Sequence, residues 1–161
     1  MTVRNDQELN RYSISVRDFE KTIEFLKEAL GKSSCSVIIE SLLMSTIICY
    51  CRPFSSNERG KGAKATSKIQ LESFSDITES ERTLHEKCMA VRNKAIAHAE
   101  WTNNPTKRDS ETNVICSRAY SLTSDQIDWQ ALLTLTDKLR KQCHNFRADF
   151  LMKKRLLGPY N

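Results

Sequence analysis

Two side chains near the middle of the chain, Arg92 and His98, are of types that suit chemistry on a phosphate ester. A histidine titrates near neutral pH, so the same side chain can both take up and release a proton. The planar guanidinium of an arginine matches phosphate oxygens and stabilises negative charge that builds up on them. Together the two residue types indicate a candidate site for proton transfer beside a phosphate.

The segment 84–101, LHEKCMAVRNKAIAHAEW, carries both residues, and its periodicity predicts an amphipathic helix that ends in residues 92–98. Thr78 and Glu81 match a capping box, so we expect the helix to begin just after Thr78 and to run to about His98. We interpret His85 as a core-edge or surface histidine, since the motif does not require it. The side chains of this helix form two adjacent rows along its packing side. One row is Leu84, Cys88, Val91, Ala95 and His98. The other row is His85, Met89, Arg92, Ile96 and Ala99.

The spacing of Arg92 and His98 sets a geometric problem for a single helix. At roughly 3.6 residues per turn, the two Cα directions differ by about 120°. One helix would therefore not point both groups at the same atom. A long arginine side chain, a helix that loosens near His98 or a second copy of the motif would be needed.

The arrangement of Arg92 and Asn93 followed by Ala97 and His98 resembles the R-x(4–6)-H signature of HEPN domains. In that superfamily the residue after the arginine is commonly polar and often Asn. A second stretch, ICYCRPFS at 48–55, looks like a segment upstream of the motif in a group of bacterial HEPN-like proteins. The resemblance in helical architecture covers most of the chain, whereas the resemblance in catalytic residues is limited to 92–98.

Resemblance to HEPN domains implies a homodimer formed through the motif helices, and an endoribonuclease that needs neither metal nor cofactor. The 2′-hydroxyl of RNA would attack the adjacent phosphorus and leave a 2′,3′-cyclic phosphate and a 5′-hydroxyl. His98 would be the general acid or base, Arg92 would hold the pentavalent phosphate, and Asn93 would orient the substrate. Many such ribonucleases are toxins or abortive-infection effectors in antiviral defence, and that role is an extension of the resemblance.

Three alternatives to a free ribonuclease follow from the same residues. The chain could be a non-catalytic HEPN-like dimerisation or RNA-binding module. It could instead be a toxin restrained by a nucleotidyltransferase-type or other antitoxin. Arg92 and His98 could also bridge helices through ion pairs or backbone hydrogen bonds, with no chemical role.

Length and composition bound the class of protein. With 161 residues we expect one domain over 1–161 with a core of its own. The excess of 25 basic over 20 acidic residues permits a nucleic-acid partner without requiring one. Six Cys without a C-x-x-C pair, and three scattered His, indicate buried free thiols and no metal site. The start of the chain lacks an apolar secretory segment, which indicates a cytoplasmic protein.

Gly and Pro fall between the apolar-periodic segments, which favours a few long helices over many short strands. We expect a loose N-terminus at 1–12 and a first helix that begins near Ser15 and ends near Gly31. The apolar segment 33–51 could be a buried strand pair because of its β-branched residues. Its apolar run covers every face over a helical length and ends at Pro53, which favours a helix. By its length and polar residues it is expected not to span a membrane.

The segment 52–68 is predicted to be a basic flexible loop, either a solvated connector or an arm that grips phosphates. Its candidate RNA-binding residues are Arg52, Arg59, Lys61 and Lys64.

The C-terminal third of the chain completes the predicted fold. The polar stretch 102–123 is expected to form a hairpin or an ordered long loop. Ser124 or Asp125 can cap a final helix over about 127–156, and the basic tail 153–161 begins within the last turn of that helix. The predicted fold class is all-α, an up-down helical bundle of four main helices plus a short extra helix or hairpin.

Overall fold

The computed structural model of the chain describes residues 3–31, 36–55, 68–93, 106–108, 115–117, 122 and 127–156. Over these residues the protein is mainly helical, which confirms the all-α class. The four helices are α1 (Val3–Gly31), α2 (Ser36–Cys51), α3 (Glu79–Val91) and α4 (Trp129–Leu156). Two short 3₁₀ turns cover Arg52–Phe54 and Leu71–Ser73. Strand β1 (Thr106–Arg108) pairs antiparallel with β2 (Ile115–Ser117), with Lys107 opposite Cys116.

The core lies between α1 and its two neighbours, because α1 packs against both α2 and α4. Helix α3 contacts α2 and α4 more sparsely, so it lies at the edge of this assembly. Burial of large apolar side chains stabilises the fold by removing them from water. The core side chains with no exposure are Phe19, Leu26, Ile47, Tyr50, Cys51, Cys88, Leu132, Leu135, Leu139 and Cys143.

The prediction of a loose N-terminus at 1–12 is wrong for residues 3–12, which form the first turns of α1. The local sequence is polar, and tertiary contacts stabilise the helix over these residues. Arg11 is only 5% exposed, and the ring of Tyr12 lies 5.1 Å from that of Phe146 on α4. These contacts anchor the helix before the apolar pattern begins. Helix α1 ends at Gly31, as predicted.

The apolar segment after Gly31 is the helix α2, so the alternative of a strand pair is wrong. Its inner face buries Leu43, Ile47 and Tyr50, whereas other apolar side chains lie in solvent. Residues 37–54 are long and apolar enough to cross a membrane by length and composition alone, so the sequence-based exclusion was too strict. Of this segment, 39% is buried inside the protein. The exposed apolar side chains of α2 are Val37, Ile38, Met44 and Ile48.

The capping box predicted for α3 is confirmed. The Thr78 hydroxyl accepts from the Glu81 backbone N–H at 3.2 Å, and the Glu81 carboxylate accepts from the Thr78 N–H at 2.8 Å. The same carboxylate pairs with Lys138 of α4 at 2.8 Å, and the lysine helps to hold the pKa of Glu81 below its usual value against the opposing effect of burial. One acid therefore both starts α3 and joins it to α4.

The start of α4 differs in detail from the sequence prediction. Ser124 and Asp125 lie outside the described residues. Asp128 caps the helix, because its carboxylate accepts from the Ala131 N–H at 2.8 Å. The helix then runs from Trp129 to Leu156, close to the predicted range.

The cysteines whose side chains are described are buried free thiols, as predicted: Cys49, Cys51, Cys88 and Cys143.

A buried guanidinium joins α1 to the end of α2. Arg11 donates to the carbonyl oxygens of Arg52 and Ser55, both at 3.1 Å, and to that of Pro53. These carbonyls lie in the turn that follows α2, where those of Arg52 and Pro53 also accept from the backbone N–H groups of Ser55 and Ile69, at 3.2 and 3.0 Å. Asp18, 4% exposed, pairs with Arg52 at 2.8 Å beside this contact. The two pairs fix the direction in which the chain leaves α2.

Replacing Arg11 with Ala should lower the free energy of unfolding by about 2–4 kcal/mol, because three carbonyl oxygens lose a charged donor, two of them keeping a backbone N–H donor, and Asp18 loses a nearby cation. Urea unfolding followed by far-ultraviolet circular dichroism measures this loss. Lys21→Ala is the matched control on the same helix, since it removes an exposed ion pair with Glu24 and should leave the midpoint unchanged. Equal effects of the two substitutions would contradict the structural role of Arg11.

Candidate functional site

Arg92 and Asn93 follow directly on α3, and the structure brings their side chains together. The Arg92 guanidinium donates to the Asn93 amide oxygen at 2.8 Å. Arg92 keeps helical backbone angles (φ −56°, ψ −48°), and its N–H bonds to the carbonyls of Cys88 and Met89. This hydrogen bond uses one of the five N–H donors of the guanidinium and limits the rotation of the Arg92 side chain. Arg92 is thus half-buried and oriented, and Asn93 is exposed beside it.

Arg92 also lies near the end of α2. Burial raises the pKa of the Cys51 thiol to about 12, and the positive charge of Arg92 acts on the same thiol in the opposite direction. The two stretches that resemble HEPN segments, 48–55 and 92–98, are therefore neighbours in space where they are described.

The other sequence-predicted site residues are placed unevenly. His98 lies outside the described residues, as do Arg59, Lys61 and Lys64. Arg52 is described, and it lies in the 3₁₀ turn after α2 with its guanidinium paired to Asp18 at 2.8 Å. Its side chain is 52% exposed, so one side of the group faces solvent while the other serves the fold.

His85 forms a cluster with two aromatic side chains that the sequence did not single out. Its Nδ1 lies 3.1 Å from the Tyr50 hydroxyl, and its ring packs edge-on against Phe54 with centroids 4.5 Å apart. Burial lowers the pKa of His85 to about 4, with Glu72 opposing this effect and Arg82 adding to it. The imidazole is therefore neutral at pH 7. Its placement at the edge of the core confirms the interpretation made from the sequence.

The hydrogen bond with Tyr50 favours one tautomer of His85. Tyr50 is fully buried, so its hydroxyl proton needs an acceptor inside the protein. Among the described groups, Nδ1 of His85 is the acceptor within reach. An imidazole that accepts at Nδ1 carries its proton on Nε2. His85 can then offer a neutral N–H donor to a group outside the core.

A pocket of about 200 Å³, named the α3 pocket, lies beside this cluster. One wall is α3, which contributes Arg82, His85 and Met89. The other walls are Phe54 and the segment 68–72. Across its rim Arg82 pairs with Glu72 at 3.0 Å. The pocket therefore combines an aromatic and thioether interior with a polar edge.

Within the described part of the chain, no three His, Cys, Asp or Glu side chains are grouped closely enough to hold a metal ion. Two acids of this region pair with cations: Glu72 with Arg82 and Glu81 with Lys138. What these residues can supply is hydrogen bonding, a fixed positive charge at Arg92 and a neutral imidazole at His85.

No model of a known protein family matches the chain, and no curated protein and no solved structure matches it either. Similarity to HEPN domains therefore stays an inference from residues 48–55 and 92–98.

The lowered pKa of His85 predicts a pH-dependent stability. Between pH 6.5 and 4 the unfolded chain binds a proton at this position and the folded chain does not, so stability falls as the pH drops through this range. His85→Asn keeps an acceptor near the position of Nδ1 and removes the titration. We expect the stability difference between pH 7 and pH 5 to shrink by about 1–2 kcal/mol in this variant.

Urea unfolding at the two pH values measures the effect. Tyr50→Phe is the control, because it loses the hydroxyl and retains the buried imidazole. It should be less stable at both pH values and keep the wild-type difference between them. A wild-type pH dependence in His85→Asn would show that other groups cause it.

Proposed function

We propose that the protein is a metal-independent endoribonuclease of the HEPN type. The observation that supports this most directly is the oriented Arg92 guanidinium, which is hydrogen-bonded to Asn93 just after α3 and lies six positions before His98 in the sequence. An arginine fixed in this way is prepared to hold a phosphate before the substrate arrives, so less ordering is needed at the transition state.

The proposed reaction uses the substrate's own nucleophile. The RNA 2′-hydroxyl loses its proton to a base and forms a new bond to the adjacent phosphorus, while the bond from phosphorus to the 5′ oxygen breaks. The leaving oxygen takes up a proton, and the products are a 2′,3′-cyclic phosphate and a 5′-hydroxyl. His98 is the proposed proton carrier, Arg92 stabilises the pentavalent phosphate, and Asn93 orients it.

The proposal includes the architecture that the chemistry needs. Four helices, with α1 packed on both α2 and α4, are compatible with an up-down bundle of the HEPN kind. A homodimer through the motif helix would bring two copies of Arg92 and His98 into one cleft. Glu86, Ala90 and Asn93 are exposed along one face at the end of α3, which leaves that face accessible to a second copy.

The remaining parts of the proposal concern partners and setting. The candidate RNA contacts Arg52, Arg59, Lys61 and Lys64 would bind the backbone of the substrate outside the cleft. We place the activity in the cytoplasm, as a toxin or defence effector that an antitoxin protein restrains.

RNA cleavage by the purified protein in excess EDTA tests the proposal. The wild type should cleave single-stranded RNA and leave 2′,3′-cyclic phosphate ends. Arg92→Ala and His98→Ala should each lower the rate by a factor of about 100 or more, since each removes a group that acts on the transition state. Size-exclusion chromatography with light scattering reports the oligomeric state of each variant.

Arg140→Ala and His144→Ala are matched controls that remove the same residue types from α4. The His144 side chain is 44% exposed, and its Nε2 lies 3.7 Å from the carboxylate of Glu20 on α1. His144 is far from α3 in the sequence, and its loss should leave the cleavage rate unchanged. Equal rates in all five proteins would refute a site at Arg92 and His98. RNA binding without cleavage by the wild type would instead favour the non-catalytic module.

A further inference from the structure

The α3 pocket has the size of a small ring system. Its volume of about 200 Å³ is below the roughly 300–1,000 Å³ of pockets that take drug-sized ligands. Phe54 is buried in its wall, and Met89 contributes a thioether, a group that packs well against aromatic rings. A flat heterocycle fits this combination better than an aliphatic chain, because the rim of the pocket is polar.

The charges around the pocket cancel. Lys68 and Arg82 supply two positive charges, and Glu72 and Glu86 supply two negative ones. Arg82 and Glu72 also neutralise each other directly at 3.0 Å. A phosphate or a metal ion would find no excess of opposite charge here. The pocket is therefore suited to a neutral ligand that offers both hydrogen-bond donors and acceptors.

His85 adds a donor that the fold does not use. Its Nδ1 is bonded to Tyr50, and within the described part of the chain its Nε2 has no hydrogen-bond partner. The side chain lines the pocket. A ligand acceptor can therefore bond to the Nε2 proton, while Glu86 and Gln70 at the exposed rim can bond to an amino group.

The pocket and Arg92 lie along the same side of the helix. His85, Met89 and Arg92 follow one another at spacings of four and three residues, which places them on one face. Seven residues of helix extend about 10 Å along the axis. An extended dinucleotide covers such a distance, so a strand with its phosphate at Arg92 can reach the pocket with a neighbouring base.

We propose that the α3 pocket binds a single nucleobase, with the Nε2–H of His85 donating to a ring nitrogen or carbonyl oxygen of the base and the rim accepting from an amino group. Neutral heterocycles with donors and acceptors on one edge are what nucleic acids present when their bases are unstacked. The binding itself does not require cleavage. Only the assignment of the base to an RNA substrate rests on the proposed function.

Binding of the four nucleoside 5′-monophosphates tests the proposal, with ribose 5-phosphate as the probe that lacks a base. The titrations use the His98→Ala protein, so that cleavage cannot occur, and combine calorimetry with the ¹⁵N resonances of the histidine side chains. At least one nucleotide should bind with a Kd of about 1 mM or tighter and shift the Nε2 resonance of His85. Ribose 5-phosphate should do neither.

Two pairs of variants locate the binding. His85→Asn keeps the acceptor for Tyr50 and removes the Nε2 donor, and should weaken binding about tenfold. His85→Gln places an amide near Nε2 and should recover part of that loss. Gln70→Trp fills the rim of the pocket and should abolish binding. Gln130→Trp, an equally exposed glutamine on α4, is its control and should bind like the parent.

The source of the base is settled by comparing a short oligoribonucleotide with the mononucleotide. Tighter binding of the oligonucleotide, lost in both Arg92→Ala and His85→Asn, would assign the pocket to the RNA strand. Equal binding of the two would assign it to a free nucleotide. Unchanged binding in Gln70→Trp, equal binding of ribose 5-phosphate, or no binding would overturn the proposal even if the protein cleaves RNA. If nucleotides bind in the pocket and the wild type does not cleave RNA, the proposed base-binding site stands and the proposed nuclease activity is refuted.

Discussion

The burial of the Arg11 guanidinium against the carbonyl oxygens that follow α2 is the constraint on which the rest of the described structure depends. A buried cation is costly unless its N–H groups are bonded, and burial lowers the pKa of Arg11 while the nearby Asp18 opposes this effect. Three carbonyl acceptors of Nη2 and the Asp18–Arg52 pair offset part of that cost, whereas Nε of Arg11 and Oδ2 of Asp18 are buried without a hydrogen-bond partner among the described residues. The chain can then leave α2 in only one direction, and that direction sets the position of Phe54.

The turn after α2 also helps to position α3. Tyr50 and Phe54 lie on either side of the point where α2 ends, and both contact His85. This aromatic cluster, the buried Cys88 and the Glu81–Lys138 pair together hold α3 in its position. The surface that carries Arg92 is therefore held by interactions that begin on α1, far away in sequence.

His85 on α3 and Arg92 directly after it are two polar groups of different chemical character. His85 is neutral because burial makes its charged form unfavourable, whereas Arg92 offers a guanidinium that can bind an anion. The charges around His85 cancel, and the guanidinium of Arg92 is oriented by a neutral amide. One face of α3 thus offers a place for a neutral polar ring and, two turns further on, a place for an anion.

Sequence periodicity and local end signals account for much of the fold. The capping box at Thr78, the end of α1 at Gly31, the end of α2 before Pro53 and the burial of Cys49, Cys51, Cys88 and Cys143 all follow from residues close together in the chain. Such features depend on backbone donors, backbone angles and side-chain hydrophobicity within a few residues. The pairing of Arg92 with Asn93 belongs to the same class, since the two are adjacent.

Only the tertiary structure decided what depends on residues far apart. Arg11 lies 41 residues from Arg52, and Tyr50 lies 35 residues from His85. No local pattern predicts which carbonyls a distant guanidinium will meet, so the sequence indicated a loose N-terminus where a helix is anchored. The same reason explains why His85 gave no signal of a pocket. Its neutral state and its place in the pocket wall arise from Tyr50, Phe54 and the segment 68–72, which the sequence does not show to be neighbours.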